Sequence, residues 1–115
     1  MMFVPGEIVI AAFPFAALSG TKRRPCLVLA AGDSIGDFLV AFITSNVGLS
    51  HLPSATGVLP VHPGWRATGL KVPSVVRADK LATLNDTVIA GAIGTLPQDL
   101  LEEVRRKLKQ LLGIP

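Results

Sequence analysis

Residues 22–25, KRRP, set three successive cations against a proline. A residue before proline is held to extended backbone, so Arg24 stands at the entry of the apolar run at residues 25–31 with little conformational freedom. From that base an arginine can present its planar fork to a phosphate. A plain solvated turn accounts for the same charges equally well. Thr44 and Ser45 close a second apolar run, FLVAFITSN, and put two hydroxyls at its end. Arg77, Asp79 and Lys80 form a third group in SVVRADKL, where strand alternation sets Arg77 and Asp79 on one face, as in a structural ion pair.

Other chemistries lack their residues. His51 and His62 have no further ligand at metal-binding spacing and read as loop residues, so no metal or cofactor is expected. The glycines fit neither a phosphate-cradling loop nor a dinucleotide fingerprint. Cys26, the single cysteine, sits inside an apolar run and reads as a buried, inert thiol that excludes an internal disulfide. No serine or threonine carries the flanks of a nucleophile elbow.

The elements that must hold these residues read mainly as strands. With 115 residues, 50% hydrophobic and 17% charged, the chain fits one domain, residues 1–115, with a sizeable core and a tendency to self-associate. No apolar run approaches the ~18–20 residues that span a bilayer, and MMFVPGE lacks a secretory pattern, so a cytoplasmic location is expected. The net charge of +3 resides entirely in residues 58–115, since residues 1–57 balance three cations against three acids. Strands are expected at residues 7–15, 25–31, 37–45, 72–84 and 87–96, the last two forming a hairpin through Asn85 and Asp86. Residues 46–71 hold three prolines and four glycines and read as a long irregular segment with a strand near residues 58–62. Leu100, Val104, Leu108 and Leu111 recur at helical spacing, widened by Leu101 and Leu112; a Thr95–Gln98 capping box opens that helix and Gly113 ends it. Short strands and a terminal helix without βαβ alternation argue for a compact antiparallel barrel.

The ordered blocks PGEIVIAAFPF, SGTKRRPCLVLA, FLVAFITSN, LKVPSVVRADKLATL and IGTLPQDLLEEVRRKLKQLLGI resemble the MazF/PemK type II toxins, and the longest stretch they leave uncovered falls within residues 46–69. The resemblance implies a mainly β, SH3-like antiparallel barrel with a C-terminal α-helix, paired as a homodimer. It implies a metal-independent, sequence-specific endoribonuclease that cleaves single-stranded mRNA and is silenced by a MazE-like antitoxin. It carries Arg24 and Thr44 over as catalytic residues, and Lys22 and Arg23 as contacts to the RNA backbone. Ser45, His51, Trp65, Arg66, Arg77 and Lys80 complete the RNA-binding candidates; Trp65 serves equally well as a core or interface anchor. Cleavage would proceed by attack of the ribose 2′-hydroxyl on the adjacent phosphate. Arg24 would stabilise the charge that develops but, being always protonated, is a poor base. His51 and Asp79 are the side chains that could take the proton if the fold brings either near. One departure stands out: many members carry a glutamate ahead of this arginine, and SGTK contains no acid. Two alternatives remain, an inactive RNA-binding relative and a gyrase-inhibiting toxin on the same fold. The latter carries a C-terminal tryptophan, which the ending LLGIP lacks.

Overall fold

Apolar residues on both sides of a strand require cover on both sides. In β1 (Glu7–Phe13), Ile8 is sealed on one face while Val9 and Ala11 are sealed on the other. The same holds in β2 (Lys22–Ala31), where Cys26 and Val28 face one cluster and Leu27 the other. The computed structural model describes residues 2–13 and 22–115, with Phe13 and Lys22 described by their backbone alone. With β3 (Asp37–Thr44), β4 (Ala55–Val58), β5 (Ser74–Asn85) and β6 (Ile89–Thr95), these strands form one antiparallel sheet in the order β4-β5-β3-β2-β1-β6. Strands β4 and β6 form its two edges, so the barrel-like sheet does not close.

The first cluster joins Val9, Cys26, Val28, Val40 and Leu84 to an edge-to-face pair of Phe3 and Phe38, ring centres 5.3 Å apart. The second joins Ile8, Leu27, Ala41, Ile43, Val58 and Val76 to Leu96 and to the helix α1 (Gln98–Leu112). Helix α1 is seated by Leu101 and Val104, each worth roughly 1.5–3 kcal/mol when fully buried. Leu111 and Leu112, at the far end of the expected stripe, remain half exposed.

Several expectations are corrected by this arrangement. β5 and β6 are no hairpin: β5 lies between β4 and β3, while β6 joins β1 at the opposite edge. A three-residue 3-10 turn, Asp86–Val88, redirects the chain after Asn85, whose side chain accepts the Thr87 N–H, and the Asp86 N–H is tied to the Gly36 carbonyl. The strand expected near residues 58–62 lies earlier, at β4, because Pro60 and Pro63 lack the backbone donors that a longer strand would need. The segment 46–71 also contains two 3-10 turns, Val47–His51 and Trp65–Thr68. No capping box forms: Pro97 is the N-cap of α1, Thr95 pairs with Glu7 in the sheet, and Gln98 donates to Glu102. Gly113, in the left-handed region at φ 69°, does end the helix.

Candidate functional site

The three cations do not precede β2 but belong to it, pairing across to β1 as Lys22↔Phe13, Arg23↔Ala12 and Arg24↔Ala11. On its other side β2 begins to pair with β3 only at Cys26↔Phe42. Residues 22–25 therefore project past the end of that ladder with β1 as their sheet neighbour, the kind of edge position that tolerates a proline. Continuing the β2–β3 register by two residues sets Arg24 level with Thr44 on the neighbouring strand. The Thr44 hydroxyl accepts the Asn46 N–H at 3.1 Å.

Beside this sheet end lies a cavity of about 590 Å³. Ile10, Pro25, Ile43 and Ile93 give it an apolar lining, and Ile43 ties it to the second cluster. Arg23, Arg24 and Lys71 line it with charge, and Ser45 adds a hydroxyl. No carboxylate joins the lining, and among the described residues no ion pair holds any of the three cations. A cleft with cations of one sign on an apolar base concentrates field on an anion.

One wall, residues 69–72, is set by a close backbone approach to β6. Gly69 has φ +71°, and a Cβ there would lie 2.1 Å from the Ile93 carbonyl oxygen. From the other side, a Cβ on Gly94 would lie 2.3 Å from the Ala67 oxygen and the Thr68 carbonyl carbon. Buried Thr68 locks the turn, its hydroxyl donating to the Trp65 carbonyl at 2.6 Å and accepting the Leu70 N–H at 3.1 Å.

The remaining candidates lie elsewhere. Lys22's side chain and residues 14–21, including SGT, fall outside the described residues. Thr44 is not part of the cavity lining, nor are His51, Trp65, Arg66, Arg77 and Lys80. His51 is exposed and bonds the Gly48 carbonyl through Nδ1. Trp65 is half-buried against the second cluster, as a core anchor would be. Arg66 and Lys80 are exposed. His62 holds its loop to the helix: Nε2 donates to the Asp99 carboxylate at 2.9 and 3.1 Å, while Nδ1 accepts the Gly64 N–H. That bond from His62 draws the Asp99 pKa below its ordinary value. Cys26 is sealed, and burial pushes its thiol pKa up to about 12. Among the described residues no three of His, Cys, Asp and Glu gather as a metal site would require.

Arg77 and Asp79 form the ion pair that alternation anticipates, a two-pronged contact at 2.8 and 2.9 Å. It sits where the β3–β5 register jumps from Ala41↔Leu81 to Phe42↔Arg77, an irregularity that re-aims side chains. The Arg77 hydrogen bond lowers the Asp79 pKa below the ordinary carboxylate value. A depressed carboxylate contributes stability above its unfolded pKa and loses it as pH falls through the folded value. Asp79→Asn is therefore expected to cost about 0.2–1 kcal/mol at pH 7. The deficit should shrink as pH falls below the usual carboxylate value and vanish below the depressed folded one, by denaturant unfolding of both proteins along a pH series. A deficit independent of pH would show that the charge contributes nothing.

Lys71 is the cleft residue that the sequence did not disclose. Its signal is a cation bracketed by Gly69 and Pro73 within an irregular stretch, a pattern shared by many surface loops.

Comparison with known proteins gives the same outline. A family model described as PemK-like, MazF-like toxin of type II toxin-antitoxin system matches residues 4–112. The chain is 33% identical over 99 residues to Endoribonuclease MazF2 of Mycobacterium bovis, covering 81% of each. It superposes on MazF of Deinococcus radiodurans with a TM-score of 0.74 at 30% identity, covering 99% of each chain. A MazE-MazF structure from the same organism matches with a TM-score of 0.75 at 29% identity, covering 100% of both chains.

Proposed function

Because the chain belongs to the PemK-like, MazF-like toxins of type II toxin-antitoxin systems, we propose that it is an endoribonuclease that cleaves single-stranded mRNA and so halts translation and growth. The observation that carries this reading is the cleft that gathers Arg23, Arg24, Lys71 and Ser45 with no carboxylate in its lining. A polyanion is the substrate class such a cleft attracts, and its apolar lining suits an unstacked base, as single-stranded RNA supplies. The M. bovis relative bears the name of an endoribonuclease, which supports the same activity. The MazE-MazF structure supports a cognate antitoxin of MazE type as the partner. The reading includes a homodimer that acts in the cytoplasm, where mRNA is translated. Among the described residues no helix is long and apolar enough to cross a membrane.

Arg24 and Thr44 are the catalytic residues in this reading. The ribose 2′-oxygen attacks the adjacent phosphorus, the bond from phosphorus to the 5′-oxygen breaks, and a 2′,3′-cyclic phosphate and a 5′-hydroxyl result. The 2′-hydroxyl proton passes to solvent, because neither His51 nor Asp79 lines the cleft. Arg24 sets fixed donors against the charge gathering on the phosphoryl oxygens and hydrogen-bonds the departing 5′-oxygen, which takes up a proton from solvent as it leaves. Thr44, at the end of the neighbouring strand β3 and outside the cleft lining, is assigned the attacking hydroxyl or a phosphate oxygen at the rim of the cleft.

Wild-type protein incubated with a long single-stranded RNA in EDTA should give discrete fragments with 5′-hydroxyl ends, and Thr44→Ala should slow their formation. RNA left intact at high protein concentration would sink the nuclease reading. Fragmentation at wild-type rate by Thr44→Ala would remove Thr44 from the site.

A further inference from the structure

Of the cations lining the cleft, Lys71 alone comes from outside β2. Its side chain is exposed, yet the backbone that delivers it is fixed on both sides. Gly69 lies against the Ile93 carbonyl with no room for a Cβ, and the Leu70 N–H is held by the Thr68 hydroxyl. Beyond it, buried Ser74 donates to the Val72 carbonyl at 2.8 Å, and Pro73 restricts the backbone between them. A long, flexible ammonium on a rigid base makes a point contact to phosphate at small cost in backbone entropy. No ion pair among the described residues competes for it.

We propose that Lys71 binds a backbone phosphate of single-stranded RNA from the wall at residues 69–72, while Arg23 and Arg24 engage the strand from β2. The inference rests on the RNA-cleaving reading and adds to it a second point of grip. Two segments holding one strand fix its register, so Lys71 acts as a positioning residue rather than a catalytic one.

The test separates binding from cleavage. A cleavage-site RNA with its 2′-hydroxyls methylated cannot react, and its affinity is measured by fluorescence anisotropy over a salt series. Lys71→Ala should bind roughly five- to tenfold more weakly and flatten the slope of log affinity against log salt by about 0.7, the value for one contact to a single strand. Lys71→Arg should restore the slope. On cleavable RNA the loss should fall on KM more than on kcat, with an unchanged melting temperature because the residue is exposed. Wild type binding the probe while Lys71→Ala matches it in affinity and slope would overturn the assignment alone. Wild type failing to bind would overturn the RNA reading and this inference together.

Discussion

Arg24→Ala is expected to slow RNA cleavage about 10²–10³-fold, the effect of removing one preorganised donor to a developing oxyanion, worth about 2.7–4 kcal/mol. The reason is placement. Pro25 holds Arg24 to extended backbone, β1 pairs it with Ala11, and β3 has not yet begun to pair, so the guanidinium emerges from a rigid strand into the cleft. It is exposed and carries no ion pair among the described residues, so its loss should leave the melting temperature within error. The effect should appear in kcat, with binding of uncleavable RNA changed far less. Arg24→Lys should recover only part of the rate, because an ammonium keeps the charge and loses the two-pronged fork. Arg23→Ala, one residue back, should instead raise KM. Single-turnover cleavage beside anisotropy binding distinguishes these patterns. Wild-type kcat in Arg24→Ala would move the chemistry to other residues.

The cationic edge of this site was legible because proline and charge act locally. Residues 22–25 announce an extended, positively charged strand entry whatever surrounds them, and the apolar runs after them announce strands buried on both faces. Helix α1 was legible for the same reason: the Leu101 and Val104 face and the Gly113 stop are set by spacing within one element. The features that could not be read depend on contacts between distant residues. A turn at Asn85 and Asp86 looks like a hairpin, yet it sends β6 to the opposite edge, because the pairing of β6 with β1 is decided across the whole sheet. Lys71 gives no local sign that it shares a cavity with Arg24, since the backbone contact between Gly69 and Ile93 brings its wall into place. Thr95 and Gln98 match a capping box, but Thr95 is already committed to pairing with Glu7 in the sheet.

That backbone contact also sets the second large effect. Gly69→Ala should destabilise the protein by roughly 2–5 kcal/mol, combining about 1–2 for a Cβ in the left-handed region with about 1–3 for overpacking. Because a Cβ would lie 2.1 Å from the Ile93 carbonyl oxygen, a main-chain atom, no side-chain rotamer can relieve the clash. The turn Trp65–Thr68 must lift from β6, disturbing the Thr68 hydroxyl bonds and the seat of Trp65 on the second cluster. Against a total stability of about 5–15 kcal/mol, melting should fall by about 10 °C or more. The fraction that still folds should bind RNA weakly, because the displaced wall carries Lys71. Gly94→Ala, which meets the Ala67 oxygen and the Thr68 carbonyl from the β6 side, should reproduce both effects. Gly57→Ala is the control: it lies in β4, its added Cβ meets nothing nearer than 3.9 Å, and it should shift stability by no more than about 0.5 kcal/mol. If Gly69→Ala and Gly94→Ala both melt like Gly57→Ala, the turn does not lie on β6, and the cleft wall that presents Lys71 is not where the glycines place it.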